Sequence, residues 1–209
     1  MRDTNKSSVI KKIDHVAYAV RLETIKKWAW FHTVMEDGKL IQKIDDVRPN
    51  DPDSSMMLWC INYGTFGIAL VAGIDRKKES QVTSFIKKHG DHAVQHVAYD
   101  TYNLESFRER LKEFNGKLRG DVLIGKDAFG IYKQVFGKGY DAEKDPAQAC
   151  FPEYVQRPAT KEEEAEITFS QRAGKGFYQQ IEDASEKKDT ETLLGFLSIP
   201  SDWEPIVIE

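Results

Sequence analysis

Two histidines occupy the same place in a repeated tetrapeptide. Residues 15–18 read His-Val-Ala-Tyr, and residues 96–99 read His-Val-Ala-Tyr again, 81 positions later. Downstream, Leu22-Glu23-Thr24 is echoed by Leu104-Glu105-Ser106. Alternation along a strand puts His15 on one face with Ile13 and Ala17, and His96 on one face with Val94 and Ala98. Glu153 joins them as a third candidate. It shares a strand face with Phe151 and Val155, where an ionised carboxylate is costly unless paired or bound to a metal. Two histidines and one carboxylate leave positions open on a metal, the pattern of non-haem Fe(II) oxygenases. Singly, each residue has a plainer reading: a lone strand histidine is commonly a hydrogen-bonded core residue, and a lone strand glutamate faces solvent. The repeat is what joins them. A rival set of His89, His92 and His96 falls in a Lys-His-Gly-Asp-His loop, without the ligand framing of a structural zinc site. His32 falls on an outer helix, as a structural or solvated residue.

Elements that could position these residues follow from periodicity. In a first unit, residues 13–75, strands are expected over Ile13–Val20, Lys39–Val47, Met56–Asn62 and Phe66–Ala72. A helix spans Leu22–Val34, with Leu22, Ile25, Trp28 and Ala29 on one side. Arg48–Ser55 reads as loop. Residues 76–92 form a linker containing a helix, Glu79–His89. A second unit, residues 93–157, repeats the order: strand Ala93–Thr101, helix Leu104–Phe114, then strands Lys117–Ile124, Gly130–Phe136 and Ala149–Gln156. The fold class is therefore α+β. Two paired β-α-β-β-β modules form an open eight-stranded barrel around a metal, with the helices outside. Residues 1–12 are a polar tail, and 158–209 a mainly helical extension. That extension comprises a charged helix start at 161–166, helices at 176–187 and 191–197, and an edge strand at 205–209.

The 209 residues are 40% hydrophobic and 31% charged, with a formal net charge of −4. That balance allows a buried core and a solvated surface, and argues against a nucleic-acid partner. Lysine pairs such as Lys11-Lys12 and Lys87-Lys88 read as solvated faces. No apolar run approaches the roughly 20 residues of a membrane span, and the N-terminus has no signal region. The expectation is a cytoplasmic protein with no membrane partner. A homo-oligomer is left open. Cys60 and Cys150 lie in apolar strand-like segments outside any CxxC motif and are expected to be reduced and buried. Gly174-Lys175-Gly176 lacks the upstream glycine and strand of a phosphate-binding loop.

Several stretches together resemble the catalytic domain of 4-hydroxyphenylpyruvate dioxygenase, in the vicinal-oxygen-chelate superfamily. They are Ile13-Asp14-His15-Val16, Val94-Gln95-His96-Val97-Ala98, Lys133-Gln134-Val135-Phe136, Phe151-Pro152-Glu153-Tyr154-Val155-Gln156-Arg157 and Gly174-Lys175-Gly176-Phe177. The resemblance implies that His15, His96 and Glu153 hold Fe(II). It implies that Gln134, Phe136, Phe151 and Phe177 line a substrate pocket, with Phe177 on a helix that closes it. The implied partners are a small 2-oxo acid and O₂, and the implied reaction is decarboxylation with hydroxylation. The family's Pro-Leu-Asn signature reads Ala69-Leu70-Val71 here. Val71 thus replaces a polar contact, and a side chain less polar than 4-hydroxyphenyl is expected. Pro152 replaces the usual aromatic. Isomerases and lyases of the superfamily use a fourth protein ligand, where this chain presents Ile68. Extradiol ring cleavage and non-catalytic binding of a small molecule stay open as alternatives.

Overall fold

The computed structural model describes residues 9–127, 130–141, 145–158 and 171–188. The eight strands are β1 (Ile10–Ala19), β2 (Lys39–Ile44), β3 (Ser54–Asn62), β4 (Gly67–Asp75), β5 (Ala93–Thr101), β6 (Leu118–Asp127), β7 (Gly130–Gly137) and β8 (Phe151–Gln156). Four α-helices accompany them: α1 (Ile25–Trp30), α2 (Gln81–His89), α3 (Leu104–Glu113) and α4 (Gln171–Glu186). The expected elements at 161–166, 191–197 and 205–209 lie outside the described residues, as does most of the N-terminal tail.

The strands form one curled half-barrel sheet in the order β2-β3-β4-β1-β5-β8-β7-β6. The α+β class and the open eight-stranded arrangement are as the sequence predicts. β1 and β5 run antiparallel at the centre, β1 pairs in parallel with β4, and β5 pairs in parallel with β8. The order is therefore symmetric about the β1–β5 seam, which lays the two repeated tetrapeptides side by side.

Several boundaries differ from expectation for local reasons. The first helix is shorter: α1 gives way to a π-helical turn over Phe31–Met35. β3 starts at Ser54, inside the stretch read as loop, because Ser54 and Ser55 continue the ladder against Asp75 and Ile74. α4 begins before Gly174. A Cβ on Gly174 would lie 3.0 Å from the Leu58 side chain, and one on Gly176 2.7 Å from Leu123. Those glycines let the helix sit against the sheet, and they form no ligand loop.

Helices cover both faces, not only the outside. On the convex side α1 packs Ile25 and Ala29 against Trp59, Ile61, Ile68 and Leu70. Leu104 and Phe107 of α3 pack with Val135 and Tyr154. On the concave side α4 inserts Phe177, Tyr178 and Ile181 among Ala17, Leu58, Cys60, Ala69, Val71, Phe136 and Phe151. Each fully buried large apolar side chain contributes about 1.5–3 kcal/mol, so this wedge is a main source of cohesion. Among the described residues no helix is long and apolar enough to cross a membrane. Cys60 is buried as expected. Cys150 precedes β8 and is only half-buried, its thiol 3.4 Å from the Val94 carbonyl.

Candidate metal centre

The ladder registers fix which side chains meet. His15 lies opposite Ala98, Ala98 opposite Glu153, and Ala17 opposite His96. Directly opposed residues share a face, so all three candidates project into the concave side. Between Ile13 and His15 the β1–β5 register shifts, and Ile13 pairs with Tyr99 instead. This irregularity turns Ile13 away from His15, contrary to strict alternation, and leaves it 45% exposed. Bulges are frequent beside sites, where they re-aim a side chain.

His15, His96 and Glu153 are all buried, and one ligand atom from each lies within 4.8 Å of the others. Glu153 Oε2 is 3.4 Å from His15 Nε2 and 3.3 Å from His96 Nε2. Atoms bound about 2.0–2.2 Å from one ion lie roughly 3 Å or slightly more apart, so Glu153 is spaced to share a cation with each histidine. Among the described residues this is the group of three or more ligand-type side chains that could close on one ion.

The residues behind the donors fit the same purpose. His15 Nδ1 lies 2.7 Å from Asp14 Oδ1. Arg157 grips Asp14 in turn, with Nε and Nη2 each donating at 2.8 Å. Asp14 therefore holds a proton on His15 Nδ1 and turns Nε2 toward Glu153, the usual support of a metal-bound imidazole. His96 differs: its Nδ1 is buried without a hydrogen-bond partner, and its ring stacks on Phe151 at 4.9 Å.

The electrostatics describe a site in which His15 keeps its proton, balanced by the Glu153 carboxylate, when no metal is bound. Burial pulls His15 down, but the charge of Glu153 and the bond to Asp14 outweigh it and raise the imidazole to about 9. Burial pushes Glu153 up, yet His15 and the bonds to both histidines hold it near 2. Burial keeps His96 below its ordinary value despite Glu153. Asp14, pushed up by burial, is held well below the carboxylate range by Arg157. A divalent ion would displace the proton on His15 and meet a formed donor set.

Phe136, Phe151 and Phe177 converge on the same place. Their ring centres lie 6.3, 4.9 and 5.3 Å from that of His96. Gln134 is buried on β7, opposite Leu123 on one side and Val155 on the other. In this conformer the three phenylalanines also pack on one another, Phe136 to Phe177 at 5.0 Å.

The rival histidines go elsewhere. His89 stacks on Phe85 and bonds to the Gln148 carbonyl. His92 lies between Tyr18 and Trp28, its Nε2 2.8 Å from His32 Nε2. His32 is 3% exposed and also bonded to Glu36 and Tyr63, a structural residue rather than a solvated one. The register also corrects the position equivalent to Glu153. His15 pairs with Gly67 as His96 pairs with Phe151, and Ala17 with Ala69 as Ala98 with Glu153. The counterpart is Ala69, whereas Ile68 faces the convex cluster. No acid stands at either position. Sequence reasoning gave no role to Asp14, Arg157 or Arg119. An aspartate beside the first histidine and an arginine four residues after Glu153 were the available signal for the first two.

No protein-family model matches the sequence, and no curated protein matches it. Among solved structures, a triple mutant of 4-hydroxymandelate synthase from Streptomyces coelicolor aligns with a TM-score of 0.68 and 18% identity, over 86% of this chain and 56% of that one. The chain thus spans little more than half of the synthase. A methylmalonyl-CoA epimerase aligns with a TM-score of 0.51 and 14% identity, over 74% of this chain and 100% of that one. The epimerase from Mycobacterium tuberculosis gives 0.48 at 19% identity, over 76% and 95%. At such identities the likeness is one of fold. The curled sheet with its paired halves is the vicinal-oxygen-chelate fold, and its concave side carries a His-His-Glu group.

Proposed function

We propose that the chain is an Fe(II)-dependent dioxygenase acting on a 2-oxo acid of arylpyruvate type, with O₂ as co-substrate. The observation that carries this reading is the buried convergence of His15, His96 and Glu153 with Ala69, not an acid, at the fourth related position. The likeness of fold to a 4-hydroxymandelate synthase supports it.

His15, His96 and Glu153 would hold the ion. When bound, Fe(II) supplies the charge that fixes a 2-oxo acid by its carboxylate and keto oxygens, and the electrons that activate O₂. Glu153 offsets part of that charge. Asp14 keeps the His15 proton on Nδ1, away from the reacting atoms. Phe136, Phe151 and Phe177 give the substrate side chain an apolar bed and exclude water from it. Gln134 offers an amide on the same face of β7 as Phe136. Loading a substrate requires the Phe177 ring to yield, since it now packs against both other rings.

The test is an anaerobic screen of arylpyruvates, aliphatic 2-oxo acids and catechols against the Fe(II)-loaded protein. Visible charge-transfer absorption with a 2-oxo acid, followed by CO₂ release on admitting O₂, is the expected result. A response to catechols alone would replace this reading with extradiol cleavage. Binding without oxygen uptake would make the chain a binding protein.

A further inference from the structure

The concave side holds a cation that the proposed reaction does not use. Arg119 on β6 lies opposite Phe136, Phe136 opposite Glu153, Glu153 opposite Ala98, and Ala98 opposite His15. Opposed residues share a face, so one row across the sheet runs from Arg119 to two of the three metal-ligand candidates. Arg119 is only 4% exposed. Its guanidinium carbon lies 5.2 Å from the Phe151 ring centre, and that ring stacks on His96 at 4.9 Å. A single aromatic ring thus separates a permanent positive charge from the site.

The strand is bent to put it there. The β6–β7 register shifts between Arg119 and Leu123, and Gly120 has φ +67. A Cβ at Gly120 would meet the Gln180 side chain of α4 at 2.8 Å. Glycine therefore lets β6 kink beneath the helix that roofs the site. Across the sheet from Arg119, Leu58, Cys60, Ala69 and Val71 are buried in an apolar cluster. Val71 alone points to a side chain less polar than 4-hydroxyphenyl; Arg119 argues for a charged group at the other edge.

We propose that Arg119 reads a second acid group on the substrate, so that the substrate class is a 2-oxo acid whose side chain carries a carboxylate. This rests on the 2-oxo acid reading above. The head of such a molecule would sit at the metal ligands, and its side chain would run along the phenylalanines toward β6. A guanidinium presents donors in a fork that matches a carboxylate, and in an enclosed site this bond is among the stronger ones. Arg119 is not free in this conformer; its position recommends it, not a missing partner.

The experiment uses matched pairs: phenylpyruvate with 4-carboxyphenylpyruvate, and 2-oxohexanoate with 2-oxoadipate. Each is titrated anaerobically into Fe(II)-loaded protein, following charge-transfer absorption and thermal stability. The expected result is that each diacid binds about tenfold or more tightly than its monoacid partner. Arg119→Gln should erase that preference, so that each diacid binds no more tightly than its monoacid partner, while Arg119→Lys keeps part of it. Equal or weaker diacid binding in the wild-type protein overturns the role of Arg119 even if neither variant folds. In that case monoacid spectra would leave the 2-oxo acid reading standing. Silence with all four compounds removes both.

Discussion

Arg157 and Asp14, 143 residues apart in the chain, form a two-bonded ion pair that is almost wholly buried. The pair joins the end of β8 to the middle of β1, and Asp14 also holds His15. Breaking a buried pair by removing one partner leaves a charge stranded, at a cost of about 3–5 kcal/mol. Arg157→Met should therefore lose stability on that scale. The double variant Asp14→Asn/Arg157→Met should lose clearly less than the two single losses together. Urea denaturation of all four proteins measures this; additive losses would mean the two residues act independently.

Asp14→Asn also weakens the support of His15. Divalent-metal affinity should fall about 10–100-fold, as when other groups behind metal-bound histidines are lost. His15→Ala, His96→Ala and Glu153→Ala should each abolish stoichiometric binding. Metal analysis after gel filtration, with the thermal shift on adding Mn(II), is the measure. Full occupancy in any of the three alanine variants would remove that residue from the ligand set.

Acidity should act on the metal-free protein and the loaded protein in opposite senses. In the metal-free state His15 is raised from 6.5 to about 9. Stability from a raised group is complete below its unfolded value and is lost as pH climbs through the folded one. Chelated protein should therefore lose thermal stability between about pH 6.5 and 9. Metal binding displaces that proton, so affinity rises over the same interval. The gap between chelated and Mn(II)-loaded melting temperatures should widen with pH. A chelated protein with a flat profile there would count against the buried His15–Glu153 pair.

Phe177 closes the aromatic group over His96. Phe177→Leu keeps most of the volume, and such swaps usually cost under about 1.5 kcal/mol. We expect a small change in melting temperature with a several-fold change in 2-oxo acid affinity. A large stability loss with unchanged affinity would mark Phe177 as core filling.

Much of this arrangement is legible in the sequence because it is repeated or locally periodic. The His-Val-Ala-Tyr pair gives β1 and β5 and both imidazoles, and β5 falls on Ala93–Thr101 as read. Glu153 is found because a carboxylate on an apolar strand face needs a reason. What escapes is set by non-local register. The counterpart of Glu153 is Ala69 rather than Ile68 because the parallel pairings of β4 and β8 decide it. Alternation also fails at Ile13, where the ladder slips. Arg119 stays hidden because a charged residue in a short strand reads as surface until the kink at Gly120 and the roof of α4 are seen. His32 reads as either structural or solvated because nothing local announces Tyr63 and His92 beside it.

The substitution of Ala69 for a carboxylate has a stereochemical meaning. A centre with true two-fold symmetry would put the same wall on either side of a flat ligand, leaving two equivalent ways to seat it. Here one flank bears a methyl group and the other a carboxylate with three aromatic rings. On the 2-oxo acid reading, a planar substrate seated between them would meet two unlike walls, so the two flipped ways of seating it would no longer be equivalent. One seating should therefore prevail, chosen by the broken equivalence of β4 and β8.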